Sequence, residues 1–280
     1  MNAYNFYPKK KSLFGGFSAT TSLILINVAV FIIFSILTSV GILSFDSIAL
    51  KPSDFLHGKY LWTILTNMFM HANLTHLFFN MFSLFFIGTF LERIIGRKRF
   101  LWFYLISGIF AGLFFAFLSG FFGTTILGAK IFGTPDISGV GASGALFGLL
   151  GVLVILVPYS KVFLIVGPLI AIILDVISQQ FLSSSIQSVF SIFINIYFFI
   201  SIFAIFSFNP KLRRFALPVE MPFWFLPIAA IVPLVLIGLF VALPIGNTAH
   251  LGGLIAGLCY GLYLKIKYKK KTSYLRSAFR

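Results

Sequence analysis

Acidic side chains are scarce: the 280 residues hold six Asp and Glu against 21 Lys and Arg, and all charged residues together make up 10% of the chain. Ordinary soluble domains carry ~25% charged residues, so a soluble globular class is excluded. With so few carboxylates and no HExxH pattern, the four histidines make a poor zinc set, and no metal is expected. Cysteine occurs once, at Cys259, which excludes an intrachain disulfide. Nor does any apolar stretch alternate with a period of two, as the strands of a membrane barrel would.

Hydrophobic residues, by contrast, make up 59% of the chain. Their runs approach or exceed the ~20 residues that cross a hydrocarbon core as helix, so the expected class is an all-α polytopic membrane protein embedded in a lipid bilayer. The first run, about 21 to 43, is too long for a signal-peptide core and reads as a span. Seven further spans follow at about 74–93, 100–121, 143–158, 162–177, 187–208, 222–243 and 249–266. The 162–177 segment is short and contains Gly167, Pro168 and Asp175, so a re-entrant or interfacial hairpin over 162–208 is equally compatible. Two outer loops are expected, Gly41 to Tyr60 and Gly120 to Ala142.

A net charge of +15 would suggest nucleic acid in a soluble protein, but here the basic residues cluster between apolar runs. With the N-terminus inside, 18 of the 21 lie on the inner side, including Lys9, Lys10, Lys11, Arg93, Arg97, Lys98 and Arg99, which leaves Lys51, Lys59 and Lys130 outside. That is the bias that orients membrane proteins, so no nucleic-acid partner is implied. The resulting division is an inner tail 1–20, a membrane domain 21–266 with an insertion at about 162–208, and a basic inner tail 267–280. A prokaryotic plasma membrane with both termini cytoplasmic is the expected location.

Polar groups at membrane depth are costly and usually face a bundle interior or a cavity, so each is a candidate site residue. His76 and Asn80 lie four apart on one helical face, with His71 about a turn earlier at the mouth of that helix. In GVGASGALFGLLG, Ser143 stands between glycines at the start of an apolar run. His250 lies one turn inside the last span, followed by Gly252, Gly253 and Gly257, which permit a close neighbour; the Ser143 helix is best suited to be that neighbour. Interhelical packing by small and polar residues would explain each feature separately. Taken together, they suit nucleophilic catalysis: Ser143 needs a base, and His250 supplies one that titrates near working pH. His76, Asn80 and the Ser143 backbone N–H could serve a tetrahedral oxyanion, while Gly141 and Gly144 let the backbone turn and expose that N–H. No carboxylate neighbours His250 in sequence, so a dyad is expected in place of a triad, with no cofactor.

These residues resemble the rhomboid intramembrane serine proteases. The GxSG motif reads Gly141-Ala142-Ser143-Gly144, HxxxN reads His76 to Asn80 preceded by His71, and the final AHxxGxxxG reads Ala249-His250, Gly253, Gly257. The likeness covers about 60–157 and 222–266. It implies a six-helix core, here carrying an inserted helical hairpin to give about eight spans. It also implies Ser143 as nucleophile, His250 as general base, and His76 and Asn80 lining the oxyanion hole. Substrates would be transmembrane segments of membrane proteins, cut near the outer membrane surface. A non-catalytic relative that binds and escorts transmembrane helices is the alternative. The Trp-Arg pair many relatives carry in the first outer loop reads Trp62-Thr63, a departure that bears on how that loop is anchored.

Overall fold

The computed structural model describes residues 17–207, 209–240 and 246–279. Lys9, Lys10 and Lys11 of the expected inner tail, residues 241–243 of the expected seventh span, and Arg280 lie outside the described residues. Helix α1 (Ala19–Ser39) begins where the Ser18 hydroxyl accepts the Thr21 N–H, and it turns Leu25, Ile26, Ile32 and Ile33 outward. Short helices α2 (Pro52–Leu56) and α3 (Thr63–Thr66) lie between α1 and the next long helix. Next comes one rod built of α4 (Leu74–Ser83), a π-helical turn at Leu84–Gly88, and α5 (Thr89–Ile95). Gly96, at φ +86°, reverses the chain into α6 (Arg97–Phe122). A left-handed residue of this kind is where glycine is free of the Cβ penalty.

After α7 (Ile126–Phe132) comes α8 (Ser143–Leu156), whose 14 residues rise about 21 Å, well short of the ~30 Å hydrocarbon thickness. A helical pair follows. Strand β1 (Lys161–Ile165) leads into α9 (Val166–Phe181) and α10 (Ser184–Phe206); after α11 (Pro210–Arg213), strand β2 (Pro218–Pro222) pairs back antiparallel on β1, with Lys161 opposite Pro222 and Ile165 opposite Pro218. The chain closes with α12 (Leu226–Gly238), α13 (Asn247–Lys267) and α14 (Lys269–Ala278).

Five helices among the described residues are long and apolar enough to cross a membrane: Ala19–Ser39, Leu74–Ile95, Arg97–Phe122, Ser184–Ile205 and Asn247–Lys267. The apolar helices of α8, α9 and α12 are shorter. The chain is therefore a mostly helical, multi-pass integral membrane protein. One expectation needs correction: the fold is mostly and not purely helical, because the pair α9 and α10 is closed at its base by a β-ribbon. Pro168 gives the reason: with α9 starting at Val166, the proline sits in the first turn, where its missing N–H has no intrahelical partner to lose. The residues before it pair as strand, closed by an exposed Lys161–Glu220 ion pair at 2.6 Å. Asp175 on α9 accepts a hydrogen bond from Ser191 on α10 at 2.5 Å, and Phe198 of α10 meets Phe79 of α4 edge-on at 5.5 Å.

Glycine sets the packing of the central helices. On α8, Gly144 faces Ala111 of α6, Gly148 faces Ser107, and Gly151 lies against the Leu254 backbone of α13. Near the basic end, Glu92 accepts the Ala19 and Thr20 N–H groups at 2.9 Å each and the Thr20 hydroxyl at 2.7 Å, placing a carboxylate on the first turn of α1. Hydrogen bonds to a charged group at a helix N-terminus are the strong kind. Glu92→Ala is expected to destabilise the fold by about 2 kcal/mol, read as a lowered unfolding midpoint in detergent.

Candidate active site

The segment after α1 and the one between α6 and α8 are tied together over the N-terminal end of α8. Leu50 and Gly139 exchange backbone hydrogen bonds at 3.0 and 2.8 Å, Ser53 N–H donates to the Pro135 carbonyl at 2.9 Å, and the hydroxyls of Ser53 and Ser138 donate to Asp136 and Asp46. Trp62 Nε1 donates to the Ser47 carbonyl at 2.8 Å, so the tryptophan anchors the first loop although threonine follows it. Asn67 then offers its carbonyl to the Gly141 N–H at 2.8 Å and fixes the segment that leads into Ser143.

Ser143 is the first residue of α8, and His250 lies in the first turn of α13. The His250 Nε2 stands 2.8 Å from the Ser143 Oγ, a hydrogen bond between residues 107 apart in sequence. His250 is buried, and its Nδ1 has no hydrogen-bond partner among the described residues. The ring is held instead by Phe147, which stacks on it at 4.4 Å and 17°. Phe147 is one turn beyond Ser143 on the same helix face, so the i, i+4 spacing was the available signal for a residue that sequence reasoning missed.

Gly141 has φ +123°, a conformation that strains any L side chain. It is also crowded: a Cβ there would come within 2.8 Å of His76 Cε1, so the imidazole lies directly against the glycine. His76 itself is set by the N-cap of α4, where the Asn73 side chain accepts the His76 N–H at 2.8 Å. Asn80, one turn further, is buried and donates from Nδ2 to the His76 carbonyl at 2.9 Å. That amide nitrogen also lies 3.8 Å from the Cβ position of Gly141, on the side His76 occupies. The first N–H groups of α8 have no acceptor in their own helix, as at every helix start. The structure thus gathers Ser143, His250, His76, Asn80 and Gly141 around one point.

The other candidate residues have packing positions. Gly144 is the contact of α8 with Ala111 and Ala249. A Cβ at Gly253 would collide with the Gly144 carbonyl oxygen, and one at Gly257 with that of Gly148, so both bring α13 onto α8; Gly252 faces Phe114 of α6 instead. His71 lies just ahead of α4, at the mouth of that helix, and is completely buried, with Nε2 3.5 Å from the Ala142 N–H and its ring edge-on to His76 at 5.1 Å. It thereby accepts from the backbone of the segment that leads into Ser143.

Burial, with repulsion from a protonated His76, holds the His71 pKa below its ordinary value of 6.5. The folded protein therefore keeps His71 neutral where the unfolded chain takes up a proton. Stability supplied by this group is present above the ordinary histidine pKa and is lost as pH falls below it. His71→Gln is expected to flatten the loss of unfolding midpoint between pH 7 and pH 5, checked by thermal unfolding in detergent.

A family model described as "Rhomboid domain" matches residues 58–209, more than half the chain. The chain belongs to the rhomboid family. It is 31% identical over 155 residues to the rhomboid protease AarA of Providencia stuartii, a match covering 53% of this chain and 54% of that one. It is 29% identical over 145 residues to the putative rhomboid protease YdcA of Bacillus subtilis, covering 52% and 65%. RHOMBOID-like protein 1 of Arabidopsis thaliana is 41% identical over 103 residues, covering 37% and 23%. This rhomboid thus spans less than two thirds of the length of each of these relatives. The family match contains His71, His76, Asn80 and Ser143 and ends before α13, so the serine–histidine contact rests on the geometry described above.

Proposed function

We propose that this rhomboid is an intramembrane serine endopeptidase that cleaves transmembrane segments of membrane proteins near the outer membrane surface through a Ser143–His250 dyad. The observation that carries this reading is the 2.8 Å contact between the His250 Nε2 and the Ser143 Oγ at the N-terminal ends of two helices. Names of relatives such as the Providencia protease support it. In this reading α1, the α4–α5 rod, α6, α8, α12 and α13 form the six-helix core, and the 162–208 segment is the insertion into a membrane domain over 21–266. Both termini face the cytoplasm of a prokaryotic cell, as the basic clusters favour.

The substrate helix unwinds locally, because the scissile carbonyl must leave its own backbone hydrogen bonds before it can be attacked. Ser143 Oγ bonds to that carbonyl carbon as its proton passes to His250 Nε2. The carbonyl oxygen becomes an oxyanion beside Gly141, where the His76 ring, the Asn80 amide and the N–H of Ser143 are the donors. His250 then gives its proton to the leaving amine as the C–N bond breaks, which leaves an ester on Ser143. Water attacks that ester, with its proton passing to His250, and the serine and the new carboxyl end are released. Because Nδ1 has no partner among the described residues, stacking on Phe147 orients the base in place of a carboxylate. No step needs a cofactor.

The test is cleavage of a single-span substrate in liposomes by the wild type, Ser143→Ala and His250→Ala. Product from the wild type alone supports the proposal. Product from all three equally assigns the cleavage to a contaminant, and none from any of them favours helix binding without catalysis.

A further inference from the structure

At the end of the bundle opposite Ser143, α14 folds back beneath the ends of α5, α8 and α13. Phe279 packs edge-on against Phe90 at 5.5 Å, and Thr272 is buried. This leaves a cleft of about 120 Å³ with an apolar floor that includes Ile95, Leu156 and Leu264. Its lip carries Arg99, Tyr268 and Lys271. Arg99 donates to the Tyr268 hydroxyl at 2.8 Å and lies over that ring at 4.8 Å, while Lys271 spends one N–H on the Ile94 carbonyl at 3.2 Å. Among the described residues neither cation is ion-paired, and the nearby carboxylate of Glu92 is engaged by α1. The Tyr268 hydroxyl accepts from Arg99 and keeps its own proton to donate, and Lys271 keeps two.

We propose that this cleft binds the phosphate of an anionic phospholipid, whose glycerol and acyl chains continue outside it along the bundle. Basic residues as topology signals need only be present in the loops. Here two of them converge over an apolar floor, with donors left unused, at the depth where headgroups lie. The cleft holds about four water-sized groups at ~30 Å³ each, enough for one phosphate. Because Leu156 ends α8 and Leu264 lies near the end of α13, such a lipid touches the far ends of the two helices that carry Ser143 and His250.

The experiment is native mass spectrometry of the full chain in detergent, titrated with phosphatidylglycerol, phosphatidylcholine or inorganic phosphate. Arg99→Gln/Lys271→Gln is compared with Lys98→Gln/Lys270→Gln, which removes the same charge outside the cleft. The wild type is expected to retain phosphatidylglycerol in preference to phosphatidylcholine. The cleft pair should weaken it by about tenfold or more and the control pair by about twofold or less, since Lys98 and Lys270 do not line the cleft and solvated surface charges contribute little each. Equal weakening in both pairs, no preference for the anionic lipid, or retention of inorganic phosphate as tight as that of the lipid would each overturn the proposal. Unfolding midpoints of both pairs, matched to the wild type, exclude misfolding as the cause.

Discussion

Ser143→Ala is expected to lower the cleavage rate at least ~10,000-fold while leaving the unfolding midpoint within about a degree or two of the wild type. In the proposed reaction the hydroxyl oxygen is the atom that bonds to the substrate, so its loss removes the covalent route, and a neighbouring water is a poor substitute. The side chain is small and partly exposed, and its hydroxyl bonds to the His250 ring, so folding loses little. His250→Ala should cost a similar factor. The double variant should be no slower than either single one, because residues that act as one unit are not additive. Measured single-turnover rates for the three variants check this; additive losses would mean that the serine and histidine work independently.

Gly253→Val and Gly257→Leu on α13 should have the next largest effect, this time through structure. At both positions even a Cβ would overlap a carbonyl oxygen of α8, backbone that cannot rotate aside. Overpacking at such a seam typically costs ~1–3 kcal/mol, and more where backbone must move. The seam opens from the end that carries the dyad, since Gly253 is one turn from His250 and meets Gly144 beside Ser143. A displacement of catalytic groups by about 1 Å can cost ~100-fold in rate, so cleavage should fall further than stability alone predicts. Gly246→Ala is a suitable control: among the described residues the nearest atom a Cβ would meet there is the Ala249 Cβ at 3.8 Å, an ordinary van der Waals contact, and both rate and midpoint should change little.

The helical rods were legible because apolar runs of membrane length carry their own signal. The α1, α6 and α13 segments lie within a few residues of their expected positions. The likeness to rhomboids was legible for a different reason: a serine, histidines and an asparagine are unusual at membrane depth, so their spacing stands out. Three features were not legible. The β-ribbon pairs Lys161–Ile165 with Pro218–Pro222 across a long insertion, and no local pattern announces so distant a partner. His71 reads as a residue at the mouth of a helix, but its complete burial against the Ala142 backbone is a tertiary event that leaves no mark in the local sequence. The stack of Phe147 on His250 was hidden among 38 phenylalanines, whose rings lipid can satisfy as well as protein.

The most direct test of the dyad is labelling of the purified protein with a fluorophosphonate, followed by peptide mass mapping. The account predicts phosphonylation of Ser143 in the wild type, none in Ser143→Ala, and little in His250→Ala, because the hydroxyl reacts only when Nε2 takes its proton. An unlabelled Ser143 in a preparation that still cleaves its substrate would contradict it.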